Sequence, residues 1–112
     1  MKIFLDDTKL CPKGWNWVKT IDDFKETVRE NVDNLEVISL DYELEFTDKG
    51  KTGLDACGYL IENNFRCPKI IIHSTHPHAG KMRELLESHL KDTVITMEEY
   101  SIFEVMKEYD KK

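Results

Sequence analysis

Along the chain, short apolar runs alternate with longer stretches in which apolar residues recur every three or four positions, the pattern of strands and helices taken in turn. KIFL (2–5) reads as a strand that stops at Asp6-Asp7. After the turn-rich TKLCPKG, the alternation of Trp15, Trp17 and Lys19 predicts a second short strand, so two strands precede the first helix. Thr20 is a good N-cap, Asp22 and Asp23 follow it, and Ile21, Phe24, Val28 and Val32 share a face, which predicts a helix over 21–33. LEVISL (35–40) is a continuous apolar run ending at Asp41, as expected of a strand buried on both faces. YELEFTDKGK is polar and reads as a mobile loop.

TGLD (52–55) has the form of a capping box, and Leu54, Cys57, Tyr59, Leu60 and Ile61 supply the stripe of a second helix ending near Asn63-Asn64. KIIIHS (69–74) is the next strand. Pro77 suits a first helical position, and Met82, Leu85, Leu86, His89 and Leu90 follow at helical spacing. TVITM (93–97) predicts a last strand, and the T-M-E-E run from Thr96 caps a helix carrying Ile102, Phe103, Met106 and Tyr109. This order predicts an α/β fold with a mainly parallel sheet of four or five strands and helices on both faces. In such folds ligands bind beyond the carboxyl ends of the strands.

Those ends carry the chemistry. Asp6 and Asp7 close the first strand, Asp41 the middle one with Glu43 just beyond, and His73-Ser74 the next. Aspartate often ends a strand merely because it favours turns. Carboxylates from several strands meeting at one edge repel unless a cation neutralises them, and hard oxygen donors suit a divalent metal, Mg²⁺ or Mn²⁺ before others. Three of the four histidines, His73, His76 and His78, fall in IIIHSTHPHAGKM. His73, at the strand end, is either a functional imidazole or a ring that packs and donates to a carbonyl. His76 stands at the pocket rim, His78 in the first helical turn facing solvent, and His89 on the apolar stripe as a core or boundary residue. A three-histidine zinc site would require His78 to turn back towards the other two.

Composition narrows the partners. The 112 residues, 40% of them apolar, suffice for one domain over 1–112 with a real core. The formal charge of -6 comes from 22 acids and 16 bases without a basic block, which argues against duplex DNA. No membrane-spanning run occurs, and MKIFLDD places two aspartates where a signal peptide needs an apolar core, so a cytoplasmic protein is expected. Cys11, Cys57 and Cys67 lack metal-ligand spacing and read as ordinary thiols. Lys81 and Arg83 near the third helix start, and Lys49 and Lys51 in the loop, are either solvated charges or anion contacts. Of Trp15 and Trp17, at least one is expected in the core.

LDD, SLDYEL, TGLD and IIIHSTHP, occurring in that order, resemble the cyclic-phosphate processing receiver domains, small relatives of the response-regulator receiver, over roughly residues 1–90. The resemblance implies a flavodoxin-like three-layer sandwich, strand order 2-1-3-4 with a fifth strand if TVITM adds one, and a bacterial or phage source. It implies that Asp6 and Asp7 hold a divalent metal with Asp41, the residue at the phosphoacceptor position. Where the family typically reads SLDHDL, Tyr42 and Glu43 replace a histidine and an aspartate; Glu43 keeps the charge, as a metal neighbour or substrate contact. His76 takes the place of an asparagine before Pro77. Receivers carry a lysine at the end of the fifth strand, and this chain has Met97-Glu98-Glu99 there. The implied function is binding or processing of a cyclic phosphate, in a small molecule, a nucleotide or an RNA end. His73, Ser74 and His76 are the candidates for catalysis, and Ser74, Thr75, Lys81 and Arg83 for holding phosphate. Two alternatives stand beside it: a signalling or pseudo-receiver module with a protein partner and Asp41 phosphorylated or silent, and a phage-type interaction protein without catalysis.

Overall fold

Alternate residues of a strand point to opposite sides of its sheet, and the strands here obey that rule with different neighbours on each side. The structure, a computed structural model, describes residues 1–110. Five strands, β1 (Lys2–Leu5), β2 (Asn16–Val18), β3 (Val37–Leu40), β4 (Lys69–Ile72) and β5 (Val94–Met97), form one parallel sheet in the order β2-β1-β3-β4-β5. Ile3, Leu5, Ile38, Leu40, Ile70 and Ile72 enter one core with residues of helices α1 (Ile21–Glu30), α2 (Gly53–Asn63) and α3 (Ala79–His89). On the opposite side Phe4 meets Trp15, His73 and Tyr100, and α4 (Ile102–Asp110) follows. The predicted receiver-like α/β fold is the one observed, with the fifth strand present.

Register places the site. Leu5, Leu40 and Ile72 form one row across β1, β3 and β4. The next residue on each strand is Asp6, Asp41 and His73, and the ladder continues through Asp41 N–H to Leu5 O (3.0 Å) and His73 N–H to Leu40 O (3.0 Å). Three polar side chains from three segments are thereby set side by side.

Several element ends differ from expectation for local reasons. Helix α1 stops at Glu30 instead of 33, because the Asn31 side-chain amide donates to Thr27 O (2.8 Å) and turns the chain. Helix α2, by contrast, has the capping box read from TGLD and ends where expected, at Asn64 in the left-handed region, φ 50°. Helix α3 begins at Ala79, not at Pro77. The cap of α4 is Ser101, whose Oγ accepts from Glu104 N–H (3.3 Å); the Thr96 hydroxyl donates to Glu98 instead (2.8 Å). Strand β4 ends at Ile72, leaving His73-Ser74 free of the strand proper.

Burial corrects two further readings, those of His89 and of the tryptophans, and shows where α4 faces. His89 is exposed, its ring meeting only Leu85 O of its own helix. Neither tryptophan is fully buried, Trp15 being half-buried and Trp17 exposed. The apolar face of α4 is largely solvent-facing, with Phe103 74% exposed and Val105 its buried residue. Residues 42–51 are tied down at several points. Phe46 N–H donates to Asp7 Oδ2 (2.9 Å), the Thr47 hydroxyl to Lys19 O, and Ile21 N–H to Asp48 Oδ2 (2.7 Å), while Leu44 joins the core.

Candidate functional site

Asp6 is fully buried, and its carboxylate is held from several sides. Oδ1 accepts from the N–H groups of Thr8 (2.9 Å) and Lys9 (3.0 Å), an Asx-type turn that fixes the loop leaving β1. Oδ2 lies 2.8 Å from His73 Nε2, and the other ring nitrogen, Nδ1, lies 2.7 Å from Ser39 Oγ. The His73 ring stacks on Phe4 at 4.6 Å. With both nitrogens engaged and only 4% of the residue exposed, His73 orients Asp6 from below the surface. Burial alone would raise the Asp6 carboxyl above its ordinary 3.8; the hydrogen bond from His73, the Lys9 and Thr8 amides and the charge on His73 outweigh it and hold the group down to about 2.

Asp41 experiences the opposite balance. Burial and then the charge of Asp6 raise its carboxyl above the ordinary range, partly offset by Lys9, by His73 and by the Tyr42 N–H at 2.8 Å. Each of Asp6, Asp41 and His73 offers a ligand-type atom, and these lie within 4.8 Å of one another. The Lys9 ammonium sits 3.7 Å from Asp6 Oδ2 and 4.0 Å from Asp41 Oδ1, ion-pair range for both carboxylates.

A cavity of 240 Å³ opens above this group. Asp7, Asp41, Glu43 and Glu45 bring carboxylates to its wall, and Lys9 brings an ammonium. Phe46, Ser74, Thr75 and His76 complete much of the remainder. Asp7 lines the mouth and spends one oxygen on Phe46 N–H, so it stands apart from the Asp6–Asp41–His73 group. Ser74 Oγ accepts from His76 N–H (3.1 Å), which leaves its O–H to donate elsewhere. The His76 ring stacks on Tyr42 at 4.2 Å, its Nδ1 accepts from His78 N–H (3.0 Å), and Nε2 lies 3.2 Å from Glu43 Oε1. His78 Nδ1 lies 3.3 Å from the Tyr42 hydroxyl, on an exposed ring. Lys81 and Arg83 are not among the cavity residues; both are exposed on α3, and Arg83 pairs with Glu87 (2.7 Å). Two of the first amides of α3 are taken as well, Ala79 N–H by His76 O and Lys81 N–H by His78 O.

A row of buried acids at the carboxyl edge of a 2-1-3-4-5 parallel sheet is the receiver arrangement, and the family model for the cyclic-phosphate processing receiver domain matches residues 1–88. The chain belongs to that family. Comparison with curated proteins and with solved structures finds no match. The matched region of this receiver domain holds every residue of the cavity, while β5 and α4 lie beyond it.

The donor set fits a divalent cation. Two buried carboxylates whose oxygens approach within 4.8 Å, one of them pushed upward by the other's charge, are what a hard cation relieves, and a lysine ammonium already stands at that position. Asp6 and Asp41 are the direct donors available; His73, already bonded to Asp6, fits as the group behind a ligand. Two participants escaped the sequence reading. Ser39 was signalled by a lone hydroxyl residue inside the apolar LEVISL run. Lys9 had only its spacing, three residues beyond Asp6, in a segment read as a turn. The three cysteines are buried free thiols, with burial pushing Cys57 up to about 12. Among the described residues no helix is long and apolar enough to cross a membrane.

Proposed function

We propose that this receiver domain binds a cyclic phosphate, in a nucleotide or at an RNA end, and opens it to the phosphomonoester with the help of Mg²⁺ or Mn²⁺. The observation that carries the reading is the charge balance of the 240 Å³ cavity. Four carboxylates line it against one ammonium, so a phosphate anion requires a metal ion there. Asp6 and Asp41 would hold the ion, which supplies Lewis-acid polarisation of a phosphate oxygen. Ser74 and Thr75 line the cavity, and their hydroxyls would donate to phosphate oxygens.

His76 is the imidazole among the cavity residues. Its Nδ1 accepts a backbone N–H, so the neutral ring carries its proton on Nε2, directed towards Glu43. In the ring opening, water adds to phosphorus, one ribose P–O bond breaks, and the departing ribose oxygen, which would accept a hydrogen bond from His76 Nε2–H, takes its proton from solvent. The water's own proton leaves to a carboxylate of the wall. His73, with both nitrogens bonded to Ser39 and Asp6, contributes by positioning Asp6. A second reading, a sensor that engages a protein after binding, is favoured by the exposed Phe103 and Met106 on α4.

The test incubates the protein with an oligonucleotide ending in a 2′,3′-cyclic phosphate, with and without Mn²⁺, and follows phosphomonoester formation. Metal-dependent turnover is expected, falling by about 10²-fold in His76→Gln. Metal-dependent binding without turnover favours the sensor. Neither binding nor a Mn²⁺-dependent rise in melting temperature at millimolar ion would sink both readings.

A further inference from the structure

Lys9 is the ammonium among the residues lining the cavity, and its backbone and side chain are held very differently. Its N–H is fixed on Asp6 Oδ1 at 3.0 Å, so the start of the side chain is anchored beside the buried acids. Its Nζ lies 3.7 Å and 4.0 Å from the two carboxylates, beyond hydrogen-bond distance. The side chain is 36% exposed, and Nζ also stands 5.8 Å from the Tyr100 ring. The ammonium is therefore paired by charge and not locked by geometry. Other cations are committed elsewhere: Arg83 to Glu87, and Lys69 to Glu98 (3.2 Å) at the end of β5.

We infer that Lys9 is a built-in counter-cation that exchanges with a divalent metal: it neutralises Asp6 and Asp41 in the metal-free protein and turns onto the ligand's phosphate when the metal takes that position. Both cations satisfy the same carboxylate oxygens, and a divalent ion within about 4 Å repels an ammonium. The displaced ammonium, tethered at its backbone, remains inside a cavity that Ser74 and Thr75 also line. Removing Lys9 therefore has opposite effects on the two ligands. Metal binds more tightly because its competitor is gone, and phosphate binds more weakly because its fixed cation is gone. A merely structural role would weaken both.

The second half of this inference rests on the phosphate reading; the first half does not. The experiment measures Mn²⁺ affinity by electron paramagnetic resonance for the parent, Lys9→Met and Lys9→Arg. Adenosine 2′,3′-cyclic monophosphate affinity is then measured at saturating Mn²⁺. Lys9→Met is expected to bind Mn²⁺ about five- to tenfold more tightly and the nucleotide about tenfold more weakly, with Lys9→Arg near the parent on both. Unchanged or weaker Mn²⁺ binding by Lys9→Met, or no Mn²⁺ binding by either protein, overturns the exchange. Tighter Mn²⁺ binding with unchanged nucleotide affinity overturns the transfer to phosphate. If the parent binds Mn²⁺ but not the nucleotide, the phosphate reading falls and the transfer with it, while the Mn²⁺ comparison still decides the counter-cation role.

Discussion

Replacing either buried aspartate by asparagine removes one charge from the same site, yet the two substitutions are expected to move stability in opposite directions. Asp6 is held at about 2 against an ordinary 3.8. That difference corresponds to about 2 kcal/mol of stability carried by the ionised carboxylate at neutral pH. The sign follows from the depressed value: the contribution is complete above about 4 and is lost as pH falls towards about 2. Asp6→Asn also leaves the His73 imidazole without its anionic acceptor. Asp41 has its carboxyl raised by burial and by Asp6, so its ionised form costs stability at neutral pH, and Asp41→Asn releases that cost. An asparagine oxygen still accepts the Tyr42 N–H.

For a chain of 112 residues, 1 kcal/mol moves the melting temperature by about 4 °C. In chelator at pH 7, followed by circular dichroism, Asp6→Asn should melt about 8 °C below the parent and Asp41→Asn above it. Repeated at pH 3, the Asp6→Asn deficit should shrink, because the parent's own advantage is then partly titrated away. A lower melting temperature for Asp41→Asn, or a higher one for Asp6→Asn, would refute the assignment of opposed environments.

Three further substitutions test the packing around the site. Gly53 opens α2 where an added Cβ would overlap the Asp41 carbonyl oxygen and meet the Met82 side chain, whereas Gly58 in the same helix has open space. Gly53→Ala should therefore cost about 2 kcal/mol or more by urea unfolding, and Gly58→Ala should gain up to about 1 kcal/mol; equal gains in both would show that propensity alone governs this helix. Tyr100→Phe removes the hydroxyl that donates to Leu10 O (2.6 Å) and should cost about 1 kcal/mol. Amide exchange should quicken across residues 8–13 and stay unchanged in α2, and uniform exchange would contradict the local clamp.

Periodicity made the sheet legible, because a parallel strand buried on both sides reads as an uninterrupted apolar run and its end is marked by the first aspartate. The residues after Leu5, Leu40 and Ile72 were recoverable in that way, since register in a parallel sheet lines up strand ends. What the sequence concealed is which side chains turn inward. Asp6 and Asp7 are chemically identical neighbours, but an extended backbone sends them to opposite sides, one to His73 and the other to Phe46 N–H. The sequence separated His73 at a strand end from His76 at a rim, but did not say which of them is buried, and it is Phe4 and Ser39 that claim one and Tyr42 and Glu43 the other. Helix α4 was legible as a helix but not in its burial: its apolar residues fit a helical stripe, and the stripe does not say whether the protein itself covers it.

The part of the chain beyond the family match still reaches the site through the loop after β1. Parallel neighbours usually require a helical crossover, but β1 and β2 are joined by the irregular segment 6–15, which must be braced from outside. Trp17 Nε1 donates to Asp6 O at 2.7 Å, Tyr100 to Leu10 O, and Tyr109 to Cys11 O at 2.5 Å, while Lys13 N–H donates to Glu108 Oε2 at 3.1 Å. Three of these four braces come from residues 100–109, and the segment they hold carries Lys9. Residues 100–109 therefore brace the loop that carries Lys9, although they contribute no residue to the cavity wall.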